Sequence, residues 1–436
     1  MDLGRKLSHF SIYACFNGHR MATATVVPTL ISREGRGSRR SLCTLVQNEL
    51  HDVKLILLVS FKGLVISTAT RSIVQKLGSA VKEVARTKGS SWWHTPHMAA
   101  ASLAIAERIP LVDFVLEVRD SRIPLSSECS QLGDLLSSSR RIIVLNKIDL
   151  AKQSAMKEWT EYFNQERSLA FGVNAHNKEN IREFLNFLQA RARELLKTGH
   201  SGETIILMLV GIPNVGKSAL ANALHQVGRI STLEKGKSKH ASVSPQPGET
   251  KNISSLKIAS HPNIYVLDTP GILPPEIFGD ELCSKLACIG AIRDCIVGKN
   301  DLAHYFLAVL NLSQEYKKWS KFSAMENVRS SIYQEEELSE SSHMDKRQYA
   351  TDHTQDFIVN DVRRTLFEAV STFSGDLEND KYLEQLIEVE SRMLRNAFRI
   401  TQSGADGHTK FAIKLLDLCR TGRLGHYVLD DIPRIS

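Results

Sequence analysis

Gly211-Ile-Pro-Asn-Val-Gly216-Lys217-Ser218 follows the apolar run 205–210 and leads directly into Ala-Leu-Ala-Asn-Ala-Leu, a strong helix start. The stretch fits G-x-x-x-x-G-K-[ST], with a strand before it and a helix after it, as the motif requires. Backbone N–H groups at the helix start are expected to ring phosphates. Asn214, Val215, Gly216, Lys217, Ser218 and Ala219 would line the nucleotide. Lys217 would neutralise β- and γ-phosphate charge, and the Ser218 hydroxyl would ligate Mg²⁺.

Upstream, the run 142–145 ends in Asn146-Lys147-Ile148-Asp149. A carboxylate at 149 can accept from guanine N1–H and from the exocyclic amine, a donor pair that adenine lacks. Asn146 would touch the base edge and the Lys147 stem its face. Asn174-Ala175-His176, after Phe171-Gly-Val, is read as a second base-contacting turn. Downstream, Pro247-Gly248-Glu249-Thr250 places Thr250 as a hydroxyl ligand of Mg²⁺. In Asp268-Thr-Pro-Gly271, Asp268 would hold the metal and the Gly271 N–H would sense the γ-phosphate. The position after Gly271, where many GTPases carry a water-orienting Gln, is Ile272.

Short apolar runs at 114–118, 142–145, 205–210 and 264–267 each end in polar residues, including Arg119-Asp120-Ser121-Arg122 after the first. Alternation of such runs with helical segments predicts an α/β fold. The expected class is a P-loop GTPase domain with a mixed, mostly parallel sheet, then a small all-helical C-terminal domain. Ligands in such sheets sit beyond the carboxyl ends of the strands. The expected boundaries are an N-terminal transit or disordered extension over 1–91 and a GTPase domain over 92–300. A connecting segment with a charged loop would cover 301–353, and a helical domain 354–436. In the last, Phe357, Val362 and Leu366 are expected to share a face, as are Leu383, Ile387 and Leu394.

The base-reading stretch precedes the phosphate loop, the reverse of the usual order. With Trp93-His-Thr-Pro-His-Met98, Glu117-Val-Arg-Asp-Ser-Arg-Ile-Pro-Leu-Ser-Ser127 and Gly422-Arg-Leu-Gly-His-Tyr-Val-Leu-Asp430, the chain resembles the circularly permuted ribosome-assembly GTPases. The likeness is to the branch of bacterial YlqF and mitochondrial ribosome-associated GTPase 1, with plant mitochondrial DAR GTPases of the Short integuments 2 type nearest. It covers about residues 92–436. Those proteins usually have Asp-Ala-Arg where Asp120-Ser121-Arg122 stands, and Gly where Pro96 stands. The resemblance implies a GTP-hydrolysing switch that assists assembly of the large subunit of the mitochondrial ribosome, with that subunit and its rRNA as partners. It also implies K⁺ held against the phosphates by Asn214. Other readings are a slow or non-catalytic GTP-binding RNA scaffold, and a GTPase in organellar signalling.

The 436 residues carry a formal net charge of +7, which leans toward polyanionic partners. Arg392, Arg395 and Arg399 fall on one helix face, with Lys410, Lys414, Arg420 and Arg423 nearby in sequence. Glu384, Glu388 and Glu390 would balance them if the face were merely solvated. Between Met1 and Gln47 the only acids are Asp2 and Glu34, amid many Arg, Ser and Thr. That composition predicts an organellar transit peptide, mitochondrial or alternatively chloroplast. The apolar run 55–66 contains Lys62 and falls short of the ~20 residues of a bilayer span. The terminal Asp-Ile-Pro-Arg-Ile-Ser has no prenylation cysteine. The seven cysteines form no Cys-x-x-Cys pair and read as free thiols.

Overall fold

The computed structural model describes residues 70–88, 94–131, 140–198, 202–232, 250, 252–274, 279–320, 353–401 and 404–433. The readings made above for 1–47, 55–66, Trp93, 247–249 and the charged loop of the connecting segment, within 321–352, lie outside them.

Six strands, β1 (Phe114–Asp120), β2 (Arg141–Asn146), β3 (Leu169–Val173), β4 (Thr204–Val210), β5 (Ser254–Ser260) and β6 (Asn263–Asp268), pair in the order β3-β2-β1-β4-β6-β5. Every pairing is parallel except that of edge strand β5 with β6. All seven residues of β1 are buried. A strand covered on both faces shows no polar-out alternation, and the two charges inside this one, Glu117 and Arg119, are buried and paired with each other at 3.1 Å. Register sets the site. Asp120 pairs with Asn146, and Asn146 with Val173. Glu117 pairs with Val210, and Met208 with Leu267. The polar residues after each strand therefore emerge along one carboxyl edge of the sheet.

Helices α1 (Arg71–Lys88), α2 (Pro96–Arg108), α3 (Gln153–Gln165), α4 (Lys178–Lys197) and α5 (Lys217–Thr232) belong to the first two-thirds of the order. The start of α2 is set locally: Thr95 Oγ1 accepts from the Met98 N–H, and Pro96 takes the first helical position, where no N–H is needed. After the sheet come α6 (Asp280–Cys288), α7 (Asp294–Val297), α8 (Lys299–Ser313), α9 (His353–Thr372), α10 (Asp380–Ala397) and α11 (Ala405–Arg420). One apolar core runs from the sheet through α4 and α5 into these helices, with Leu224, Leu286, Phe306, Leu366 and Leu415 among its members. The other sheet face buries α2 through Ala101 and Ile105, and α3 through Trp159 and Phe163.

Two boundaries differ from the sequence reading. The extension drawn over 1–91 contains α1, which buries Ile73, Leu77 and Val81 in the main core. Lys82 Nζ lies 2.7 Å from Asp280 Oδ1 in α6, and Ser72 Oγ donates to Glu384 Oε1 in α10 at 2.9 Å. The i, i+4, i+8 stripe was hidden among basic and hydroxyl residues. The connecting segment drawn over 301–353 begins inside α8, which is buried from Leu302 to Asn311 except at His304. A helix apolar on nearly every side packs at a centre and shows no sequence period. In the helical layer, Val362, Leu366, Leu383, Ile387 and Leu394 are buried as expected, whereas Phe357 is exposed. Among the described residues no helix is long and apolar enough to cross a membrane.

Candidate nucleotide site

The phosphate loop leaves β4 and closes at the start of α5. Asn214 takes a left-handed backbone, φ 62°, and Gly216 has φ 95°. A Cβ on Gly216 would stand 2.3 Å from Asn146 Nδ2, so only glycine lets the two loops meet. Lys217 Nζ lies across the loop, donating to the carbonyls of Gly211 at 3.0 Å and Ile212 at 2.9 Å. Burial pushes its ammonium down to about 8, against the opposing field of Asp268. Phosphate oxygens placed there would restore the charge.

Ser218 Oγ donates to Asp268 Oδ2 at 2.7 Å and lies 3.2 Å from Thr250 Oγ1. The three residues predicted to share a metal are thus brought together from α5, the segment before β5, and the end of β6. Asp268 is fully buried, and its Oδ1 has no hydrogen-bond partner. Burial raises its carboxyl, opposed by the Ser218 hydroxyl and the Lys217 ammonium. Two hydroxyls and an orphaned carboxylate oxygen form a hard-oxygen set that fits Mg²⁺.

Gly271 packs against the phosphate loop so closely that a Cβ would meet Pro213 Cα at 2.6 Å. Its neighbour Ile272 donates its N–H to Gly211 O at 3.3 Å, and its side chain is buried with Ile105, Met208 and Val210. Ile272 therefore anchors this segment and presents nothing to water. Leu273 O accepts from His94 Nδ1 at 2.8 Å and Gln131 Nε2 at 3.3 Å, two holds that sequence reasoning missed.

At the other end, Asn146 Nδ2 donates to Val215 O at 2.8 Å, while its Oδ1 is buried and unbonded. Lys147 adopts φ 62° and donates from Nζ to Asn214 O. Asp149 sits exposed on the 3-10 turn Ile148–Leu150. The second base turn is pinned by Asn180, whose Oδ1 accepts from the Asn174 N–H at 2.7 Å. Asn174 Oδ1 accepts from the His176 N–H at 2.9 Å, which leaves Ala175 at the loop tip.

The C-terminal part touches this edge directly. Asn214 Nδ2 donates to Gly290 O at 2.6 Å. Arg420 bonds the carbonyls of Ala287 and Cys288 and pairs with Asp294 at 2.6 Å. It is committed to the fold, a correction to its reading as one of the charges for a polyanion. Asp430 Oδ2 accepts the N–H groups of Leu125 and Ser126, both at 2.8 Å, while Leu429 N donates to Arg122 O and Tyr427 N to Leu150 O.

The family model described as "50S ribosome-binding GTPase" matches residues 206–331. The chain is 52% identical over 369 residues to DAR GTPase 2, mitochondrial, of Arabidopsis thaliana, covering 84% of this chain and 97% of that one. It is 37% identical over 357 residues to Short integuments 2, mitochondrial, of the same plant, covering 80% and 91%. Ribosome biogenesis GTPase A of Bacillus licheniformis is 31% identical over 286 residues, covering 64% and 96%. Relatives matched almost end to end, and a base-reading strand that comes before the phosphate-loop strand in the chain, place this protein: it belongs to the circularly permuted GTPases that include ribosome biogenesis GTPase A and the mitochondrial DAR GTPases, and it hydrolyses GTP.

Proposed function

We propose that this GTPase is a nucleotide-driven switch that assists assembly of the large subunit of the mitochondrial ribosome. The convergence of Ser218, Thr250 and Asp268 carries the switch. A metal held there, when bound, neutralises charge developing on the phosphates. Lys217 supplies a second positive charge, and Gly271 sets its N–H beside the γ-phosphate. Asn146, Lys147, Asp149 and the Asn174–Ala175 turn select guanine. Because Thr250 and Gly271 belong to segments around β5 and β6, and Asn214 bonds Gly290, a change at the γ-phosphate reaches α6 and the helical layer without an intermediary domain.

The ribosomal partner and the mitochondrial location are supported by the names of the relatives and by the acid-poor N-terminus. Large-subunit rRNA is the proposed ligand of the helical layer, through exposed Arg392 and half-buried Arg395 on α10 and exposed Arg399, which lies past the helix end with φ 53° and so off the helix face expected for it from sequence. For the cation, the Asn214 amide nitrogen faces Gly290, so its carbonyl oxygen is the atom K⁺ would take. Turnover in KCl is expected to exceed turnover in NaCl at equal ionic strength, and equal rates would remove the cation. For the partner, tagged protein is fractionated with mitochondrial ribosomes in GDP and in a non-hydrolysable GTP analogue. Co-migration with large-subunit particles in the analogue alone is expected. Equal recovery in both nucleotides, or recovery in neither, overturns the reading.

A further inference from the structure

The Asp120-Ser121-Arg122 motif has no part in the chemistry described so far, yet its carboxylate is a fully enclosed charge at the nucleotide edge. Asp120 closes β1 and is fully buried. Its Oδ1 accepts from the Arg122 N–H at 3.0 Å and from Arg122 Nε at 2.9 Å. Its Oδ2 accepts from Arg122 Nη2 at 2.8 Å and lies 3.0 Å from Lys147 Nζ. The same ammonium donates to Asn214 O in the phosphate loop. One carboxylate thus joins the base-reading loop of β2 to its own strand, and through Lys147 to the phosphate loop.

The arrangement answers a specific difficulty. Lys147 sits in a left-handed backbone, an uncommon state for a residue with a side chain. Burial works against its ammonium, and Asp120 is the main group that opposes this. Arg122 supplies both bonds to Oδ1 but only one to Oδ2, which it shares with the Lys147 ammonium. Arg122 is itself braced from the C-terminal part: its carbonyl accepts from Leu429 N at 2.7 Å, and its Nη1 lies 3.5 Å from Arg420 O. A buried pair is weak evidence of stabilisation by itself. A shared carboxylate that fixes a base-facing lysine has a function that an isolated pair lacks.

We propose that Asp120 is the positioning residue of the guanine site, holding the Lys147 ammonium against the phosphate loop so that the lysine stem lies flat over the purine. The inference rests on reading 146–149 as the base loop. Asp120 acts only through Lys147 and touches no nucleotide atom.

The test is a double-mutant cycle on the full chain, with a fluorescent GDP as probe and a melting curve for each variant. Asp120→Asn is expected to weaken GDP binding about tenfold, the effect of losing one charge-assisted bond. KM for GTP should rise with kcat nearly unchanged. In a Lys147→Met background the same change should cost nothing further. Asp120→Asn combined with Arg122→Gln removes both buried charges and guards against an uncompensated guanidinium. It should show the same loss, again abolished by Lys147→Met. Ser121→Ala, which removes a buried hydroxyl without a hydrogen-bond partner, controls for damage to the loop. A folded Asp120→Asn protein that binds GDP like the parent overturns the inference. So does an equal loss in the Lys147→Met background, or failure of both Asp120 variants to fold, each of which marks a purely structural carboxylate. A parent that does not prefer GDP to ADP overturns the base-loop reading itself, a different outcome.

Discussion

At the carboxyl edge of the sheet, Asp120 is buried between the Arg122 guanidinium and the Lys147 ammonium; in the helical layer, Glu390 is buried against Asn311 alone. Burial raises both carboxyls. At Asp120 two cations overcome it and hold the group well below the usual carboxylate range. At Glu390 only the Asn311 amide opposes it, at 3.0 Å, and the carboxyl is pushed up to about 8. Glu390 is therefore a neutral acid at neutral pH. Its Oε1 and Asn311 Oδ1 are both buried acceptors without a donor, and a proton on Oε1 supplies one. The contrast separates two uses of a buried carboxyl. At the sheet edge, charge is retained because two cations face the carboxylate. Between α8 and α10 charge is removed, and the group serves as a polar peg in a packed interface.

Changes that remove charge should accordingly be costly at the sheet edge and mild in the helical layer. The largest loss is expected from Lys217→Ala, on the order of a hundredfold or more in single-turnover GTP hydrolysis, the usual scale for deleting one preorganised charge. Its melting temperature should hold, since burying the ammonium costs about what its bonds to two carbonyls return. A tenfold or smaller loss would place the phosphate charge elsewhere. Next, Asp149→Asn swaps an acceptor for a donor opposite guanine N1–H. Preference for GTP over XTP should fall by about a hundredfold, and competition of the two nucleotides for the parent and variant measures it.

Glu390 sharpens the comparison through pH. Its folded-state value lies above its unfolded one, so its contribution is fully present below the unfolded value near 4.5 and is lost as pH rises through about 8. Between pH 6 and pH 9 the parent should lose a few kcal/mol of unfolding free energy, roughly the scale of a shift of several pH units. Glu390→Gln keeps the amide bond and never ionises, so denaturant midpoints for it should lack that slope. Identical slopes in parent and variant would show that Glu390 is ionised throughout. The smallest effect is expected on the exposed face: replacing Arg392, Arg395 and Arg399 by Gln should flatten the salt dependence of RNA binding by about 2–3 in log–log slope. An unchanged slope would return those residues to a solvated surface.

How much of this was legible depends on whether a residue's role is local. The strands were readable because buried parallel strands are mostly apolar and end in motifs of fixed spacing, although β1 also carries the buried Glu117 and Arg119. Ser218, Thr250 and Asp268 could be grouped from three separated stretches because each motif has its own spacing, and the structure brings their side chains within hydrogen-bond distance. Asp120 was visible as a polar strand end and as part of a family motif, but its partner was not: Lys147 follows the neighbouring strand β2, and register alone brings the two together. Glu390 looked like one more charge on a solvated helix face, because burial of its side of α10 depends on α8. Arg420 looked like a free cation for the same reason, with Asp294 contributed by α7. The stripe of α1 was present in sequence at Ile73, Leu77 and Val81, but a basic segment before it drew the whole stretch into an extension.

The bonds from Leu429 and Asp430 to the loop after β1 have a further consequence, set by the order of synthesis. The base-reading strand is among the first parts of the domain to leave the ribosome, yet the braces on its neighbouring loop are among the last. Until residues 427–430 have emerged, Leu125, Ser126 and Leu150 lack their partners, and the nascent domain has a phosphate loop before it has a finished purine pocket. A nascent chain should therefore acquire phosphate affinity first and base discrimination later, so that strict selection of guanine marks a chain made past residue 430.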